Sequence, residues 1–293
     1  MTRHNDHSNH HRAYSAGHKG HTPRKRFGQN FLRDDAVINA IARAVAPQAD
    51  EHLVEIGPGE GALTQSLVTT QCRLDAIELD RDLHTHLLAA FSIYPNFTLH
   101  SADALKFDFG SLLNSGSNAT ETAVSKLRVV GNLPYNISTP LIFKLLDNAS
   151  IIADMHFMLQ REVVERLAAS PGSKDWGRLG IMAQYQCEVT HLFDVPPEAF
   201  FPPPKVQSAI VRLVPRVNNP YPPCELESLR TVVRSAFAQR RKTLRNNFKD
   251  IFDDQQLLSL EIDPAARAET LALTDFVGLA NLFSATHSAE RDG

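Results

Sequence analysis

Residues 54–64 read VEIGPGEGALT, a short apolar run that enters a turn with three glycines and then a segment with helical character. Gly57, Gly59 and Gly61 allow the backbone to bend sharply and a ligand to approach it closely. The amino terminus of the helix that follows then faces that ligand with unpaired N–H groups. Glycine-rich turns also occur without any ligand. The residues at the ends of the neighbouring strands are therefore needed to decide whether this turn binds one.

Acidic residues end the next two strand-like runs. Glu78 ends the second run about twenty residues after the turn, where a carboxylate can accept hydrogen bonds from ribose hydroxyls. Asp103 ends the third run, where it can accept a hydrogen bond from an adenine amino group. The carboxyl ends of parallel strands meet at one edge of a sheet, so these groups converge. The pattern suits NAD as well as S-adenosylmethionine.

Strand-like and helix-like segments alternate over the first two thirds of the chain, which indicates an α/β fold with a parallel sheet and helices on both faces. Residues 34–47 predict a helix capped by Asp34 or Asp35, and 138–148 predict one that starts with a Ser138-Thr139-Pro140 cap. Two later strands are expected at 187–195 and 208–215. The first five strand-like runs are HLVEIG (52–57), RLDAIEL (73–79), FTLHSAD (97–103), LRVVGN (127–132) and MHFMLQ (155–160).

Composition divides the chain into three parts. Residues 1–22 contain six of the 13 histidines and no apolar period, so we predict a disordered tail, with metal binding or weak contact with a nucleic-acid backbone as alternatives. Residues 23–217 form the predicted α/β domain, with a loop-like insertion at 110–126. A linker-like stretch, VNNPYPPCE (217–225), leads into a predicted small helical domain over 218–293, whose last helix covers 270–283.

The remaining composition excludes several classes of protein. The chain has 293 residues, is 43% hydrophobic and carries a net charge of −3, so it is expected to be globular and its bulk charge identifies no partner. Three scattered cysteines, Cys72, Cys187 and Cys224, suggest neither disulfides nor a zinc site, and we expect no bound metal. Without a membrane-length apolar run or a secretion signal, a cytoplasmic location is expected.

The fourth strand-like run ends in a different kind of motif, VVGNLPYNIST (129–139). The lone pair of adenine N6 is delocalised into the ring, and two acceptors placed off the ring plane can pull the amino hydrogens out of conjugation. The side-chain oxygen of Asn132 and the carbonyl of Leu133 are suited to that task. Pro134 stiffens the turn without offering a competing N–H, and Tyr135 can stack on an extruded base. The motif therefore predicts methylation of an exocyclic amine.

With these motifs in place, the chain resembles the ribosomal RNA small-subunit adenine N6,N6-dimethyltransferase family, the 16S rRNA dimethyladenosine transferases. The resemblance runs from about Arg24 to Leu282. It rests on RKRFGQNFL (24–32), VEIGPGEGALT, IELDRDL, SADAL, GNLPYNISTP, LQREVVERL (159–167), FFPPPKVQSAIVRL (200–213) and FAQRRKTLRNNF (237–248). The departures are Trp176 in place of a usual Tyr, the histidine tail and the insertion at 115–126, none of which touches a motif.

The resemblance implies a Rossmann-like, S-adenosylmethionine-dependent methyltransferase that dimethylates two adjacent adenines near the 3′ end of 16S rRNA in the small ribosomal subunit, with a role in subunit biogenesis. It implies that Phe200 faces the target base opposite Tyr135. No membrane and no obligate protein partner are expected, and a monomer is the default expectation. The implied cofactor contacts are Asn30, Leu32, Gly57, Glu78, Asp103 and Asn132.

Two basic clusters fit an RNA substrate. One is Arg24, Lys25 and Arg26 near the amino terminus. The other is residues 229–245, which carry six Arg or Lys and no acid. On a single helix, Arg230, Arg234, Arg241 and Arg245 would share a rough common face and contact RNA phosphates.

Two other functions remain open at this point. One is a large-subunit rRNA adenine N6-methyltransferase that confers antibiotic resistance. The other is a non-catalytic assembly or binding factor on the same fold.

Overall fold

The computed structural model describes residues 29–115 and 126–289. Its centre is a seven-stranded sheet with the order β4-β3-β2-β5-β6-β9-β7. Strands β2 to β6 are parallel, and β9 and β7 join antiparallel at one edge. The seven strands are β2 His52–Ile56, β3 Arg73–Glu78, β4 Phe97–Ser101, β5 Leu127–Asn132, β6 Ile152–Gln160, β7 Cys187–Val195 and β9 Ser208–Pro215.

Helices cover both faces of this sheet, which confirms the α/β prediction. The helices are α1 Asp35–Val45, α2 Ala62–Val68, α3 Arg81–Phe91, α4 Ser138–Asp147, α5 Arg161–Leu167, α6 Arg178–Gln186, α7 Leu226–Ala236, α8 Leu244–Asn247, α9 Asp254–Ser259 and α10 Leu273–Ala289. The apolar sides of α1, α2 and α3 pack with one face of the sheet, and α4 and α5 pack with the other. The sheet is thereby buried on both sides, as apolar parallel strands require.

Two predicted helix starts have different outcomes. The α1 cap is Asp34, whose carboxylate accepts hydrogen bonds from the backbone of Ala36 and Val37. The predicted Ser138 cap of α4 is wrong, because the capping position is Ile137 and Ser138 is already helical. The Ser138 hydroxyl instead donates to the carbonyl of Tyr135 at 3.2 Å, so it fastens the preceding turn.

A second, two-stranded sheet was not anticipated. Strands β1 (Phe31–Leu32) and β8 (Phe200–Phe201) pair antiparallel, with Phe31 opposite Phe201 and Leu32 opposite Phe200. We call this pair the strap. It ties the segment before α1 to the loop before β9, and the backbone N–H of Arg33 extends the link by donating to the carbonyl of Ala199 at 2.8 Å.

The helices after residue 225 share an apolar core with α6. Trp176 belongs to this core, and its indole N–H donates to the carbonyl of Leu271 at 2.9 Å, so the departure from Tyr is accommodated by packing. No helix or strand lies between Arg216 and Glu225, as the linker-like sequence predicts. The assignment of 218–293 as a separate domain, with boundaries near 23 and 218, remains a prediction.

The basic stretch at 229–245 is not one helix, so the prediction of a shared helical face is wrong. Helix α7 ends at Ala236 and α8 begins at Leu244. Asn247 holds the turn between the two helices, because its side-chain N–H donates to the carbonyls of Ala236 and Gln239 while its side-chain oxygen accepts from the N–H of Gln239. These bonds satisfy the end of α7 and turn the chain away.

Other expectations concern features of the whole chain. The three cysteines are free, as the absence of a disulfide framework predicts. Within 29–115 and 126–289, no helix has the length and apolarity needed to cross a bilayer. The tail and most of the insertion lie outside the described residues, and so do Arg24, Lys25 and Arg26.

A buried ionic cluster lies in the half of the sheet remote from the glycine turn. Asp75 is 1% exposed, and its carboxylate lies 2.6 Å from Nε2 of both His52 and His100. Arg73 donates to the same carboxylate at 3.0 Å. Burial raises the pKa of Asp75, but the hydrogen bonds from His100 and His52 outweigh burial and hold the pKa well below its ordinary value.

The cluster predicts a pH-dependent contribution to stability. Since the folded-state pKa of Asp75 is depressed, the stabilisation is present above the unfolded pKa near 4 and is lost as the pH falls below it. We expect Asp75→Asn to lower the free energy of unfolding by about 3 kcal/mol at pH 7, with a smaller difference at pH 3. Urea denaturation followed by circular dichroism at both pH values measures this, with exposed Asp50→Asn as control. Equal stability losses at the two pH values would contradict it.

Candidate active site

The carboxyl ends of the parallel strands open into a cavity of about 340 Å³, within the range of small-molecule sites. Its walls come from the segment before α1, the turn after β2, and the ends of β3, β4 and β5. The cavity brings together ten residues singled out from the sequence, which are Asn30, Leu32, Gly57, Gly59, Glu78, Asp103, Asn132, Leu133, Pro134 and Tyr135.

The glycine turn is built for close approach. Gly57, Gly59 and Gly61 all have positive φ, at 69°, 61° and 86°, which side chains of other residues adopt only with strain. At Gly61 a Cβ would also lie 2.5 Å from the ring of Phe91 on α3. The turn therefore presents bare backbone to the cavity at the start of α2.

Glu78 is held by the backbone on both carboxylate oxygens. One oxygen accepts from the N–H of Gly59 at 3.3 Å, and the other accepts from the N–H of Asp80 at 2.8 Å. Burial raises the pKa of Glu78, although these bonds partly offset the effect. Each oxygen keeps a lone pair for a ligand hydroxyl. Asp103, at the next strand end, accepts from the N–H of Leu105 at 2.9 Å, which fixes its carboxylate at the cavity wall.

The orientation of the Asn132 amide is fixed by one hydrogen bond. Its Nδ2 donates to the backbone carbonyl of Asn30 at 3.0 Å. Because a carbonyl can only accept, the nitrogen must face Asn30 and the Oδ1 atom is the free acceptor of the amide. This bond joins two predicted cofactor contacts that are far apart in sequence. It leaves the oxygen of Asn132 available to accept a hydrogen bond from a target amino group, as the sequence prediction requires.

The rest of the motif is held by bonds to neighbouring strands. The N–H of Leu133 donates to the carbonyl of Met158 at 3.2 Å, which anchors the turn to β6. The hydroxyl of Tyr135 lies 2.7 Å from the hydroxyl of Ser208 at the start of β9. Burial raises the pKa of Tyr135, so the ring stays neutral. The phenol is thereby tethered at its tip while its ring borders the cavity.

The charge of the cavity wall is one-sided. Four acids line it, and neither lysine nor arginine does so among the described residues. Those acids are Glu55, Glu60, Glu78 and Asp103. A wall of this kind favours a cationic ligand and gives no cationic partner to a pyrophosphate.

Two buried titratable residues of the cavity were not singled out from the sequence. Glu55 on β2 accepts from the hydroxyl of Thr64 at 2.7 Å, and burial raises its pKa to about 7. His156 on β6 is 2% exposed, and burial lowers its pKa to about 4. Both pair in register with Val130 of β5, so they flank it in one row. A polar residue between two apolar neighbours was the available signal for each.

Other predicted residues do not line the cavity or lie outside the described residues. Phe200 is 4% exposed and packs in the apolar cluster beneath α1, so its role against the target base remains a prediction. Arg234, Arg241 and Arg245 are exposed on and after α7. Arg245 is bound by Asp254 at 2.6 Å, which reduces the charge it offers to RNA.

The comparisons with known proteins agree with the family resemblance seen in the sequence motifs. A family profile described as ribosomal RNA adenine dimethylase matches residues 20–285. Proteins named ribosomal RNA small subunit methyltransferase A from Pseudomonas aeruginosa and Saccharophagus degradans are 58% and 56% identical. These alignments cover 89% and 90% of this chain and 94% and 95% of the relatives.

Two solved structures share the fold. A dimethyladenosine transferase from Plasmodium falciparum has a TM-score of 0.72 at 25% identity, over 88% of this chain and 98% of that one. The 23S rRNA methyltransferase ErmE has a TM-score of 0.63 at 24% identity, over 87% of this chain and 100% of that one. The likeness to ErmE supports the fold alone.

Proposed function

Because the chain belongs to the ribosomal RNA adenine dimethylase family, we propose that it uses S-adenosylmethionine to dimethylate N6 of two adjacent adenines near the 3′ end of 16S rRNA. It is an rRNA-modifying enzyme on a Rossmann-like sheet. The observation that carries the proposal is the Asn132 amide, whose nitrogen is bound to Asn30 and whose oxygen is left to accept from an amino group.

The residues of the cavity fit S-adenosylmethionine. The absence of lysine and arginine among its described lining, together with the carboxylates of Glu78 and Asp103, suits a sulfonium cation better than the pyrophosphate of NAD. Glu78 would bind the ribose hydroxyls, Asp103 the adenine amino group, and the glycine turn with Asn30 and Leu32 the remainder. When bound, the cofactor supplies an electrophilic methyl group on a positively charged leaving group.

The chain's own groups prepare the nucleophile. In the first transfer, the Oδ1 atom of Asn132 and the carbonyl of Leu133 accept the two N6 hydrogens of the target adenine from outside the ring plane. The nitrogen then loses conjugation and its lone pair becomes available. The methylated nitrogen releases one of the two hydrogens as a proton to water, and one of the same oxygens accepts the remaining hydrogen in the second transfer. Tyr135, tethered to Ser208, stacks on the base and keeps water from that side. Fixed acceptors and positioning lower the barrier without a strong base.

RNA docking is proposed for the exposed arginines beyond the cavity. Arg230 is bound by Asp147 and lies 3.6 Å from Glu227, and Arg245 is bound by Asp254. Arg234 and Arg241 are exposed, and no acid of the described residues pairs with either. We therefore assign most of the phosphate contact on this side to Arg234 and Arg241, with Arg24, Lys25 and Arg26 proposed for the other side.

The small subunit is preferred over the large one. The two relatives named for the small subunit that are described above are 56% and 58% identical over about nine tenths of the chain, whereas ErmE is 24% identical. The intact Asn132, Glu78 and Asp103 also argue against a protein that has lost catalysis. We place the enzyme in the cytoplasm, because ribosomal subunits are assembled there. A monomer without an obligate protein partner is part of the same proposal.

The test uses ribosomal subunits from cells that lack this protein. We expect the purified enzyme to transfer labelled methyl groups to 16S rRNA in small subunits and not to 23S rRNA in large ones. Mass spectrometry of the digested RNA should show N6,N6-dimethyladenosine at two adjacent positions near the 3′ end. Label confined to 23S rRNA would select the large-subunit function, and label in neither would favour a binding factor.

A further inference from the structure

The strap carries an exposed aromatic ring at the edge of the active site. Phe201 is 51% exposed, whereas its neighbour Phe200 is 4% exposed. Phe201 pairs with Phe31, which lines the cavity. Directly paired residues of antiparallel strands have Cα atoms about 5 Å apart, so Phe201 lies at the rim of the cavity.

An arginine covers one face of this ring. The guanidinium carbon of Arg33 lies 4.4 Å from the centroid of Phe201, a cation–π arrangement. The same guanidinium donates to Glu60 at 3.3 Å, and Glu60 lines the cavity. Arg33 is thus held between the cavity wall and the ring, while half of the Phe201 surface stays open to solvent.

The loop that follows Phe201 leads to the site of the target base. Residues 202–207, PPPKVQ, are almost all exposed and offer apolar surface with one lysine. The loop ends at Ser208, whose hydroxyl holds that of Tyr135. The loop therefore connects the exposed ring to the residue that tethers Tyr135, the ring proposed to stack on the target base.

Exposure of an apolar residue is ordinary by itself. Ile93 is 77% exposed, more than Phe201, but it lies in the turn before β4, at the amino end of the sheet. Phe201 differs because it combines an aromatic face, a cation over that face and a position at the opening. Aromatic rings with arginine neighbours are the usual platforms for unpaired bases.

We propose, resting on the function proposed above, that Phe201 and Arg33 form a stacking subsite for a second nucleobase of the substrate RNA, adjacent to the target adenine. The base lies on the open face of the Phe201 ring. Stacking is tolerant of base identity, so this subsite positions the strand rather than reading its sequence. Arg33 supports the covered face of the ring through its cation–π contact, while its ion pair with Glu60 holds it in place.

Three variants at one position test the subsite by steady-state kinetics with small ribosomal subunits. We expect Phe201→Ala and Phe201→Leu to raise the KM for subunits about tenfold with little change in kcat, because each removes the stacking face. Phe201→Trp should keep the KM near that of the wild type. Full retention of the KM by Phe201→Leu would indicate an apolar contact with a ribosomal protein and overturn the subsite.

A spectroscopic test uses the same tryptophan variant. The chain has one native tryptophan, Trp176, which is buried, so Phe201→Trp adds one exposed indole. We expect its emission to be quenched when small subunits are added, beyond the change in the wild type. No additional quenching together with a wild-type KM in Phe201→Ala would refute the stacking.

The controls separate this inference from folding and from the proposed function. Ile93→Ala should leave the KM unchanged, and all variants should bind S-adenosylmethionine as the wild type does in calorimetry. If Phe201→Ala does not fold, the comparison of Phe201→Leu with Phe201→Trp decides. Wild-type enzyme that labels no 16S rRNA would refute the proposed function, whereas equal KM values in an active series would refute only the subsite.

Discussion

Asn132→Ala is expected to lower the rate of methyl transfer about a hundredfold to a thousandfold, the usual cost of removing one fixed polar group from a transition state. The reason is the orientation in which the Asn132 amide is held. The amide nitrogen is bound to the carbonyl of Asn30, so the oxygen is the only part of this side chain that can accept from the target amine. Alanine removes that acceptor and leaves the carbonyl of Leu133 to act alone.

The measurement is single-turnover transfer of labelled methyl groups to small subunits, with binding followed separately. RNA binding should stay near the wild-type level, because Asn132 contacts the base and not the phosphates. S-adenosylmethionine binding should weaken only moderately, since Asn132 is one of several groups at that wall. Wild-type transfer by Asn132→Ala would refute the mechanism.

Asn136→Ala is the matched comparison. Asn136 lies in the same motif and borders the cavity, but it is exposed and is not tied to Asn30. We expect this variant to lose far less activity than Asn132→Ala. Equal losses of activity in the two variants would mean that the motif tolerates no change at all. That result would contradict the specific role given to the Asn132 oxygen.

The sequence predicts the sheet well because its strands carry local signals. The runs at 187–195 and 208–215 are rich in β-branched and aromatic residues and are bounded by proline or by a helix end, and the strands have those same bounds. The candidates Gly57, Glu78, Asp103 and Asn132 follow from the strands, since each lies at the end of a strand-like run. In a parallel sheet that position alone brings them to one edge. Asn30 and Leu32 follow from the family resemblance instead.

Interactions between distant residues account for what the sequence leaves open. The strap has two strands of two residues each, too short to show any period. The end of α7 depends on the side chain of Asn247, which no spacing rule within α7 reveals. Ser138 looked like a helix cap, but its hydroxyl is taken by the carbonyl of Tyr135. The first two features depend on contacts between residues well separated in sequence, and the third on a competing bond to the turn just before the helix.

Gly131→Ala is expected to damage both stability and catalysis. A Cβ at this position would lie 2.4 Å from the backbone oxygen of Ile56 on β2, and 3.1 Å from the side chain of Leu133. The first contact is with the backbone of the adjacent strand, so it cannot be relieved by a rotamer change. Strands β2 and β5 must move apart at the point where they enter the site.

We expect the free energy of unfolding to fall by about 3 kcal/mol, which is the upper part of the usual cost of overpacking. Methyl transfer should fall about a hundredfold, because Asn132 follows directly and a displacement of about 1 Å is enough for such a loss. Urea denaturation and single-turnover kinetics measure the two effects. Because both arise from one displaced strand, a variant that lost stability but kept full activity would contradict this account.

Gly278→Ala provides the control for the same substitution elsewhere. Gly278 lies in α10, where a Cβ would meet only the side chain of Leu260 at 3.8 Å, an ordinary contact. Alanine is the better helix former, so this variant should be as stable as the wild type or more stable by up to about 1 kcal/mol, with unchanged activity. The contrast between the two glycines isolates the effect of space between β2 and β5. If both variants lost activity equally, the close approach of those strands would not be what places Asn132.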